Sequence, residues 1–288
     1  MKLVSFLDHR KGAARQSYGA LIDDRIIDLA TAPAPTLREA LAIDGVAGIA
    51  ARLKGMKGAS GPALSEASLL APIPNPDKIL CVGLNYHAHA AEANLPVPAK
   101  PSVFVRFASS LVSQNEPVLR PAESEQFDYE AELAVVIGRR ARRVAEADAM
   151  QYVAGYACFA ENSVRDWQRH SAQATAGKNF VKSGAFGPWL VTPDEAPPPG
   201  EMTIVGRLNG ETVQHSTCAD LIFGVAQIIA YISVFTELLP GDVIATGTPA
   251  GVGMSRKPPR FLRDGDVFEV EISGLGTLRN PVRDELSI

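Results

Sequence analysis

The segment that decides the fold is Phe127-Asp-Tyr-Glu-Ala-Glu-Leu-Ala-Val-Val-Ile-Gly138. Its apolar run from Leu133 to Ile137 ends at a glycine, which predicts a buried strand. Because side chains alternate along a strand, Glu130 and Glu132 are expected on one face. Two buried carboxylates repel each other and lose solvation, so they favour a shared cation, a shared proton or an arginine. A divalent metal meets this need best, although a solvated sheet edge gives the same spacing and binds nothing.

The composition is that of an ordinary globular protein with a large core. The chain has 288 residues, 46% of them hydrophobic, a formal net charge of −4 and a pI near 5.8. This acidic balance argues against a surface for nucleic acid or an anionic membrane. The three cysteines are far apart and lack metal-ligand spacing, which is typical of a reducing compartment. With neither a signal-peptide pattern nor an eighteen-residue apolar run, the sequence predicts a cytoplasmic protein.

Residues 1–72 are predicted to form a small α+β domain. Three short β-prone runs predict an antiparallel sheet in it: 2–6, 18–22 and 25–29. Thr36 and Glu39 fit a capping box that opens one helix, and a second helix is predicted near 46–53. A stretch rich in glycine and proline then predicts a linker and a domain boundary near residue 72, so that residues 73–288 form the larger domain.

In the larger domain, predicted strands outnumber predicted helices. Besides the central segment, strands are predicted at 78–83, 101–107, 117–119, 156–160, 184–191, 267–272 and 275–278. A hairpin is predicted at 203–214, with its turn at Asn209-Gly210. Helices are predicted at 87–93, 146–153 and 221–232. The fold class is therefore mainly β with α/β elements.

Several polar residues near predicted strand ends are candidates for catalysis. His89 and Glu92 lie three apart in a predicted helix, so Glu92 can orient the imidazole and raise its basicity, as a general base requires. An exposed pair of no consequence has the same spacing. Glu161 follows the strand at 156–160 and supplies a third carboxylate. Lys178 is either a surface amine or a cation directed at an anionic substrate or an oxyanion.

A glycine-rich segment at 241–253 contains Thr246, Thr248 and four glycines. Glycines let backbone N–H groups approach a small anion closely. The segment is not a Walker loop, because no Gly-Lys-Ser/Thr sequence closes it, and it is not a dinucleotide fingerprint, because no helix pattern follows. It therefore predicts a loop that presents amides to an anion.

Together, these motifs resemble the fumarylacetoacetate hydrolase family. Five segments occur in the family's order between residues 78 and about 284: Gly83-Leu-Asn-Tyr-His-Ala-His89-Ala-Ala-Glu92, Tyr129-Glu-Ala-Glu132, Ser163-Val-Arg-Asp166 with Gln168, Gly177-Lys178, and Thr246-Gly-Thr-Pro-Ala-Gly-Val-Gly253. Five motifs in order favour functional roles over the exposed alternatives given above. The resemblance implies a fumarylacetoacetase-type mixed β-sandwich roll, a variable small N-terminal domain and a homodimer.

The resemblance also implies a site for Mg²⁺ or Mn²⁺, with Ca²⁺ as a further candidate. Glu130 and Glu132 would be ligands, with Glu161 as the third carboxylate. Many members have Asp at this third position, so the metal reaches Glu161 through one more methylene group. A longer oxygen ligand still suits Mg²⁺ or Mn²⁺.

The implied reaction is hydrolysis of a carbon–carbon bond in a ketonic substrate, a 2,4-dioxo acid of the acylpyruvate type. The substrate would chelate the metal through its carboxylate and 2-oxo oxygens, while His89, supported by Glu92, deprotonates the attacking water. The metal would stabilise the departing enolate, and Lys178 would add a positive charge near the oxyanion. The products would be pyruvate or a related oxo acid and a carboxylic acid. Four further residues are implied as substrate contacts: Arg106, Arg165, Gln168 and Thr248.

Other reactions and roles remain open at this point. The form of the segment 161–170 resembles members that break down sugar acids, which adds 2,4-dioxo-3-deoxy sugar acids as a substrate class. Decarboxylation or isomerisation of oxaloacetate-like or aromatic-catabolism oxo acids needs the same metal-stabilised enolate. An inactive metal-binding paralogue is a further alternative, suggested by Glu161. The His89–Glu92 pair argues against it, since a binding protein has no use for a general base.

Overall fold

The computed structural model describes residues 1–9, 14–56, 58 and 61–286. Residues 57, 59 and 60 of the predicted linker lie outside the described residues. The strands are β1 (Lys2–Asp8), β2 (Arg15–Ile22), β3 (Arg25–Asp28), β4 (Ser68–Leu70), β5 (Ile79–Gly83), β6 (Ser102–Arg106), β7 (Leu111–Val112), β8 (Val118–Arg120), β9 (Phe127–Asp128), β10 (Ala131–Ile137), β11 (Val153–Ala160), β12 (Ser163–Val164), β13 (Gly184–Val191), β14 (Thr203–Leu208), β15 (Glu211–Thr217), β16 (Val243–Ala245), β17 (Val267–Ile272) and β18 (Gly276–Asp284). The α-helices are α1 (Leu37–Ile43), α2 (Gly45–Gly55), α3 (His87–Glu92), α4 (Arg165–Gln168), α5 (Thr175–Lys178) and α6 (Val225–Phe235).

The β-rich fold class predicted from the sequence is confirmed, and most predicted elements lie where they were expected. Thr36 caps α1 in a complete capping box with Glu39. Two predicted helices differ from the structure. The segment Glu146–Tyr152 forms a 3₁₀-helix, and α6 begins at Val225 because Leu221 instead pairs with Tyr86 in a β-bridge. No helix in the described ranges is both long and apolar enough to cross a bilayer.

The strand β10 lies inside an eleven-stranded sheet whose main order is β3-β2-β1-β13-β11-β10-β16-β5-β6. All seven residues of β10 are buried, because both faces of the sheet are covered. Leu133, Val135 and Ile137 enter one core, while Ala134 and Val136 enter a second core that also contains buried residues of α1. Because alternate side chains of β10 pack into two cores, its backbone is held rigidly. Glu130 and Glu132 are located at the N-terminal end of this strand.

The second sheet has the order β15-β14-β17-β18-β8 and packs against the eleven-stranded sheet. Alternate residues of β14 and β17 are buried, and Ile204 and Val270 share a core with Leu133. The predicted turn at Asn209-Gly210 connects β14 to β15, with φ angles of 54° and 81°. Two packed sheets of this kind form the expected β-sandwich.

The predicted N-terminal antiparallel sheet is present as β1, β2 and β3, but it is not separate from the rest of the molecule. Strand β1 pairs antiparallel with β13, with Lys2 opposite Val191 and Leu3 opposite Leu190. The N-terminal strands therefore continue the eleven-stranded sheet. The domain boundary near residue 72 remains a prediction from composition.

Candidate metal centre

Neighbouring strand ends bring three carboxylates together. Glu132 lies in β10, Glu130 immediately precedes this strand, and Glu161 immediately follows β11. Ala131 is paired with Ala160 across the two strands, and the Glu161 amide donates to the Glu130 carbonyl at 2.9 Å. One carboxylate oxygen from each of the three glutamates lies within 4.8 Å of the others, and all three residues are buried. The predicted set of acids is thus assembled in one place.

Three buried cations surround these carboxylates. The Lys178 Nζ lies 2.6 Å from Glu130 Oε2 and also contacts the Glu161 carboxylate. The Arg165 Nη1 lies 2.7 Å from Glu130 Oε1, and the Arg106 Nη1 lies 2.7 Å from Glu161 Oε1. Glu130 and Glu161 therefore each have two cationic partners.

Glu132 differs, because it has no salt-bridge partner in the part of the chain that the structure describes. Its Oε2 accepts one hydrogen bond, from the Gly247 amide at 2.8 Å. Burial, together with the nearby charges of Glu161 and Glu130, raises the pKa of Glu132 well above its ordinary value. Burial also acts to raise the pKa of Glu130, but Lys178 and Arg165 outweigh it and hold that pKa below the usual range.

The donor set fits a hard divalent cation. Three carboxylates offer oxygen ligands in a buried position, and the charge of Glu132 lacks a compensating cation among the described residues. Mg²⁺ and Mn²⁺ prefer such oxygen ligands, and a divalent charge would compensate the carboxylates more fully than the present cations do. The residues present therefore fit the ion that the sequence motifs imply.

A cavity of about 700 Å³ opens onto this centre, within the size range of a small-molecule site. Eight of the ten predicted site residues line it: His89, Glu130, Glu132, Glu161, Arg165, Gln168, Lys178 and Thr248. Glu92 and Arg106 do not line the cavity, and each instead contacts a residue that does.

The His89–Glu92 pair has the predicted geometry. The His89 Nδ1 lies 3.3 Å from Glu92 Oε2, and the Glu92 Oε1 accepts a hydrogen bond from the Gly251 amide at 3.0 Å. Glu92 is therefore fixed to the glycine-rich loop and in turn orients the imidazole. With Nδ1 facing Glu92, Nε2 is the ring nitrogen left for proton transfer.

The glycine-rich loop does bind anions, but they are carboxylates of the protein itself. The amides of Gly247, Gly251 and Gly253 donate to Glu132, Glu92 and Asp128, respectively. Gly247 has a φ of 105°, and a Cβ there would lie 2.7 Å from the Asn85 Cβ. The loop thus holds acids from the metal centre, the histidine pair and β9 in fixed relative positions.

Asp128 is a buried acid that the sequence reasoning missed. Its carboxylate accepts hydrogen bonds from the Arg165 Nε at 2.8 Å, the Gly253 amide at 2.7 Å and the Met254 amide at 3.0 Å. Asp128 lies two residues before Glu130, so the same strand alternation could have identified it. It links the arginine of α4 to the glycine-rich loop.

Arg106 is placed differently from the expectation that it contacts substrate. Its Nε donates to Ser110 at 3.0 Å, its Nη1 contacts Glu161, and its Nη2 donates to Ser183 at 2.7 Å. The guanidinium is fully buried and does not reach the cavity. Its position instead fixes the Glu161 carboxylate.

The other predicted substrate contacts line the cavity. Arg165 lines the cavity, and its Nη2 is buried without a hydrogen-bond partner among the described residues. Gln168 accepts from the Arg165 Nη1 at 3.0 Å. The Thr248 hydroxyl donates to the Ala131 carbonyl at 3.0 Å and accepts from Gln214 at 2.8 Å, which ties the loop to β10.

Comparisons of the chain with known proteins indicate one family. The family model described as fumarylacetoacetate (FAA) hydrolase C-terminal matches residues 78–283. A mitochondrial oxaloacetate tautomerase of Xenopus laevis is 47% identical over 220 residues, covering 76% of this chain and 69% of the relative.

Solved structures of similar proteins include both isomerases and hydrolases. A 2-hydroxyhepta-2,4-diene-1,7-dioate isomerase from Mycobacterium marinum superposes with a TM-score of 0.77 at 31% identity, covering 100% of both chains. A maleylpyruvate hydrolase from a Sphingobium species, in complex with manganese(II) and pyruvate, superposes with a TM-score of 0.82 at 28% identity. This match covers 99% of the present chain and 100% of the hydrolase.

Proposed function

The chain belongs to the fumarylacetoacetate hydrolase family, and from this premise we propose that it is a metal-dependent keto–enol tautomerase of an oxaloacetate-like 2-oxo acid. The observation that carries the proposal is the 47% identity to an oxaloacetate tautomerase over 220 residues. The family match at 78–283 contains every candidate site residue. The carbon–carbon hydrolase predicted from the motifs becomes the second candidate.

The residues of the cavity suit a proton transfer between carbon and oxygen. His89 Nε2 is free to remove a proton from the carbon next to the 2-oxo group, because Nδ1 faces Glu92. The proton then passes from Nε2 to the enolate oxygen, directly or through water, and the reverse sequence returns it to the carbon. Arg165 lines the cavity beside the carboxylates and is the cation that would hold the substrate carboxylate while the proton moves. A divalent cation held by Glu130, Glu132 and Glu161 would polarise the 2-oxo group.

Tautomerisation requires less of this site than hydrolysis does. It moves one proton and breaks no carbon–carbon bond. The site therefore needs neither a positioned water nor a way to stabilise a leaving group. The His89–Glu92 pair alone supplies the base. The hydrolase alternative is favoured by one specific likeness, the maleylpyruvate hydrolase that binds manganese and pyruvate on the same fold.

The test compares two substrates with protein supplied with Mg²⁺ or Mn²⁺ and with protein treated with a chelator. The first substrate is oxaloacetic acid in its enol form. Its conversion is followed by the loss of enol absorbance, and total oxaloacetate and pyruvate are assayed enzymatically in the same samples. The proposal expects faster enol loss with metal and unchanged total oxaloacetate. Accumulation of pyruvate from oxaloacetate would instead identify a decarboxylase.

The second substrate is a simple acylpyruvate. Metal-dependent appearance of pyruvate in an amount equal to the acylpyruvate consumed, without acceleration of the oxaloacetate tautomerisation, would establish the hydrolase and reject the tautomerase. The homodimer and the cytoplasmic location remain proposals beside the function. The Xenopus relative is described as mitochondrial, so both locations are open to a localisation experiment.

A further inference from the structure

The cavity wall carries an arginine that lacks an acidic partner. Arg169 directly follows α4, lines the cavity and is exposed. Its Nη2 donates to the amide oxygen of Gln126 at 3.0 Å, and it forms no salt bridge with a described residue. By contrast, Arg165 and Lys178 are each held by two carboxylates. Arg169 therefore has the capacity to neutralise a charge that the protein does not supply.

The charges that line the cavity favour a ligand with two negative charges. Three carboxylates, from Glu130, Glu132 and Glu161, are matched by three cations, from Arg165, Arg169 and Lys178. Behind this lining lie one cation, Arg106, and two carboxylates, Asp128 and Glu92, each against a residue that lines the cavity. Among the groups that line the cavity, a bound divalent cation would leave an excess of two positive charges, which a dicarboxylate matches more fully than a monocarboxylate does.

We propose that Arg169 binds the second carboxylate of a dicarboxylic 2-oxo acid and thereby selects dicarboxylic over monocarboxylic substrates. The inference rests on the proposed function, because the first carboxylate and the 2-oxo oxygen are assigned to the metal centre. Apart from the bond to Gln126, the guanidinium donors of Arg169 are free of described partners. A planar guanidinium with free donors binds a carboxylate through paired, charge-assisted hydrogen bonds.

The test uses malate and lactate, two 2-hydroxy acids that differ by one carboxylate and cannot form an enol. Their affinities are measured by calorimetry in Mg²⁺ for the wild type, Arg169→Gln, Arg169→Lys and the control Arg139→Gln, which changes an exposed arginine outside the cavity lining. We expect the wild type to prefer malate. Arg169→Gln should weaken malate binding about tenfold or more and leave lactate binding within about twofold. Arg169→Lys should retain part of the preference that Arg169→Gln loses. It keeps the positive charge but lacks the paired N–H donors of the guanidinium.

A wild type that binds malate no better than lactate, or binds neither, would overturn the inference. So would a malate preference that survives in Arg169→Gln. Because Arg169 is exposed, the variants are expected to fold, and circular dichroism checks this. The wild-type enol assay separates the two proposals. A preference that depends on Arg169 in a protein without tautomerase activity rejects only the reaction, and tautomerase activity without that dependence rejects only the role of Arg169.

Discussion

The carboxylate end of the cavity, formed by Glu130, Glu132 and Glu161, is fixed by neighbouring strands of a sheet that is covered on both faces. The mouth, formed by His89 and Arg169, with Glu92 behind His89, lies on or next to short helical segments and is partly exposed. A strand end embedded in a core cannot move without disturbing its packing, whereas a short helix and its loop can change at small cost. We infer that the carboxylate end preserves the common metal chemistry, and that the mouth sets reaction and substrate. The similar proteins include a tautomerase, an isomerase and a hydrolase.

The largest effect should come from the carboxylate end. Glu130→Gln removes a candidate metal ligand and leaves Lys178 and Arg165 each with one carboxylate fewer. We expect kcat/KM to fall at least about a thousandfold, and stability to fall by about 3 to 5 kcal/mol. Steady-state kinetics measures kcat/KM, thermal melting measures the stability, and calorimetric titration measures the Mn²⁺ affinity. Glu125→Gln, at an exposed carboxylate, is the matched control. Wild-type affinity for Mn²⁺ in Glu130→Gln would show that this end does not bind the metal.

The second prediction is that a substitution at the mouth lowers catalytic activity without lowering the affinity for the metal. His89→Asn should lower kcat by about 10² to 10⁴-fold, because it removes the proposed base. Mn²⁺ affinity should stay unchanged, since His89 is not among the carboxylate ligands. His87→Asn, on the same helix but outside the cavity lining, is the control. Full activity in His89→Asn would place the base elsewhere.

A smaller effect on catalysis is expected from Asp128, which links Arg165 to the glycine-rich loop. Asp128→Asn removes the charge that holds Arg165, and it keeps an acceptor oxygen for only one of the Gly253 and Met254 amides, because these donate to different oxygens of the carboxylate. We expect KM to rise about 10 to 100-fold with little change in kcat, because a charge-assisted contact that orients a substrate ligand is weakened. Steady-state kinetics of the variant tests this, with a melting curve as the folding control. An unchanged KM would mean that Glu130 alone positions Arg165.

The smallest predicted effect concerns pH. The pKa of Glu132 is raised above its ordinary value of 4.5 by burial and by Glu161 and Glu130. Above about pH 4.5 the folded metal-free protein therefore holds a proton that the unfolded chain has lost, and this contribution makes stability fall as pH rises toward the folded-state pKa. Because a bound cation would replace that proton, Mn²⁺ should raise Tm by a few degrees more at about pH 8 than at about pH 5.

Scanning calorimetry with Mn²⁺ or chelator at both pH values measures this difference. Glu132→Gln is the informative control, since an amide has no proton to exchange. An equal Mn²⁺ shift at both pH values in the wild type would indicate that Glu132 is not at the metal.

Local patterns allowed much of the fold to be predicted. The capping box at Thr36 and Glu39 and the hairpin turn at Asn209-Gly210 each depend on a few adjacent residues, and both are present. The proximity of Glu130 and Glu132 follows from the alternation of one strand. Glu161 could be predicted as a third acid because it ends the next apolar strand.

Partnerships between distant residues could not be predicted in the same way. Arg106 and Glu161 are 55 residues apart, and no local pattern indicates that their side chains meet. The alternation that pairs Glu130 with Glu132 also indicates Asp128, but no local pattern shows that Arg165 and the Gly253 amide converge on it. The pairing of β1 with β13 was missed for the same reason, since register between remote strands depends on the packed core.

The pairing of β1 with β13 also affects how the protein is made on the ribosome. Lys2 is synthesised early, but its partner Val191 emerges only after the whole intervening chain. At typical elongation rates this delay is roughly 10 to 40 s. During that time Lys2 and Leu3 lack their partner on that edge, because β4 pairs only with the segment from Ser5 to Leu7, and an open edge is a template for pairing with other nascent chains. Strand β1 therefore waits for a much later strand, and slower elongation would lengthen its exposure to chaperones and to aggregation.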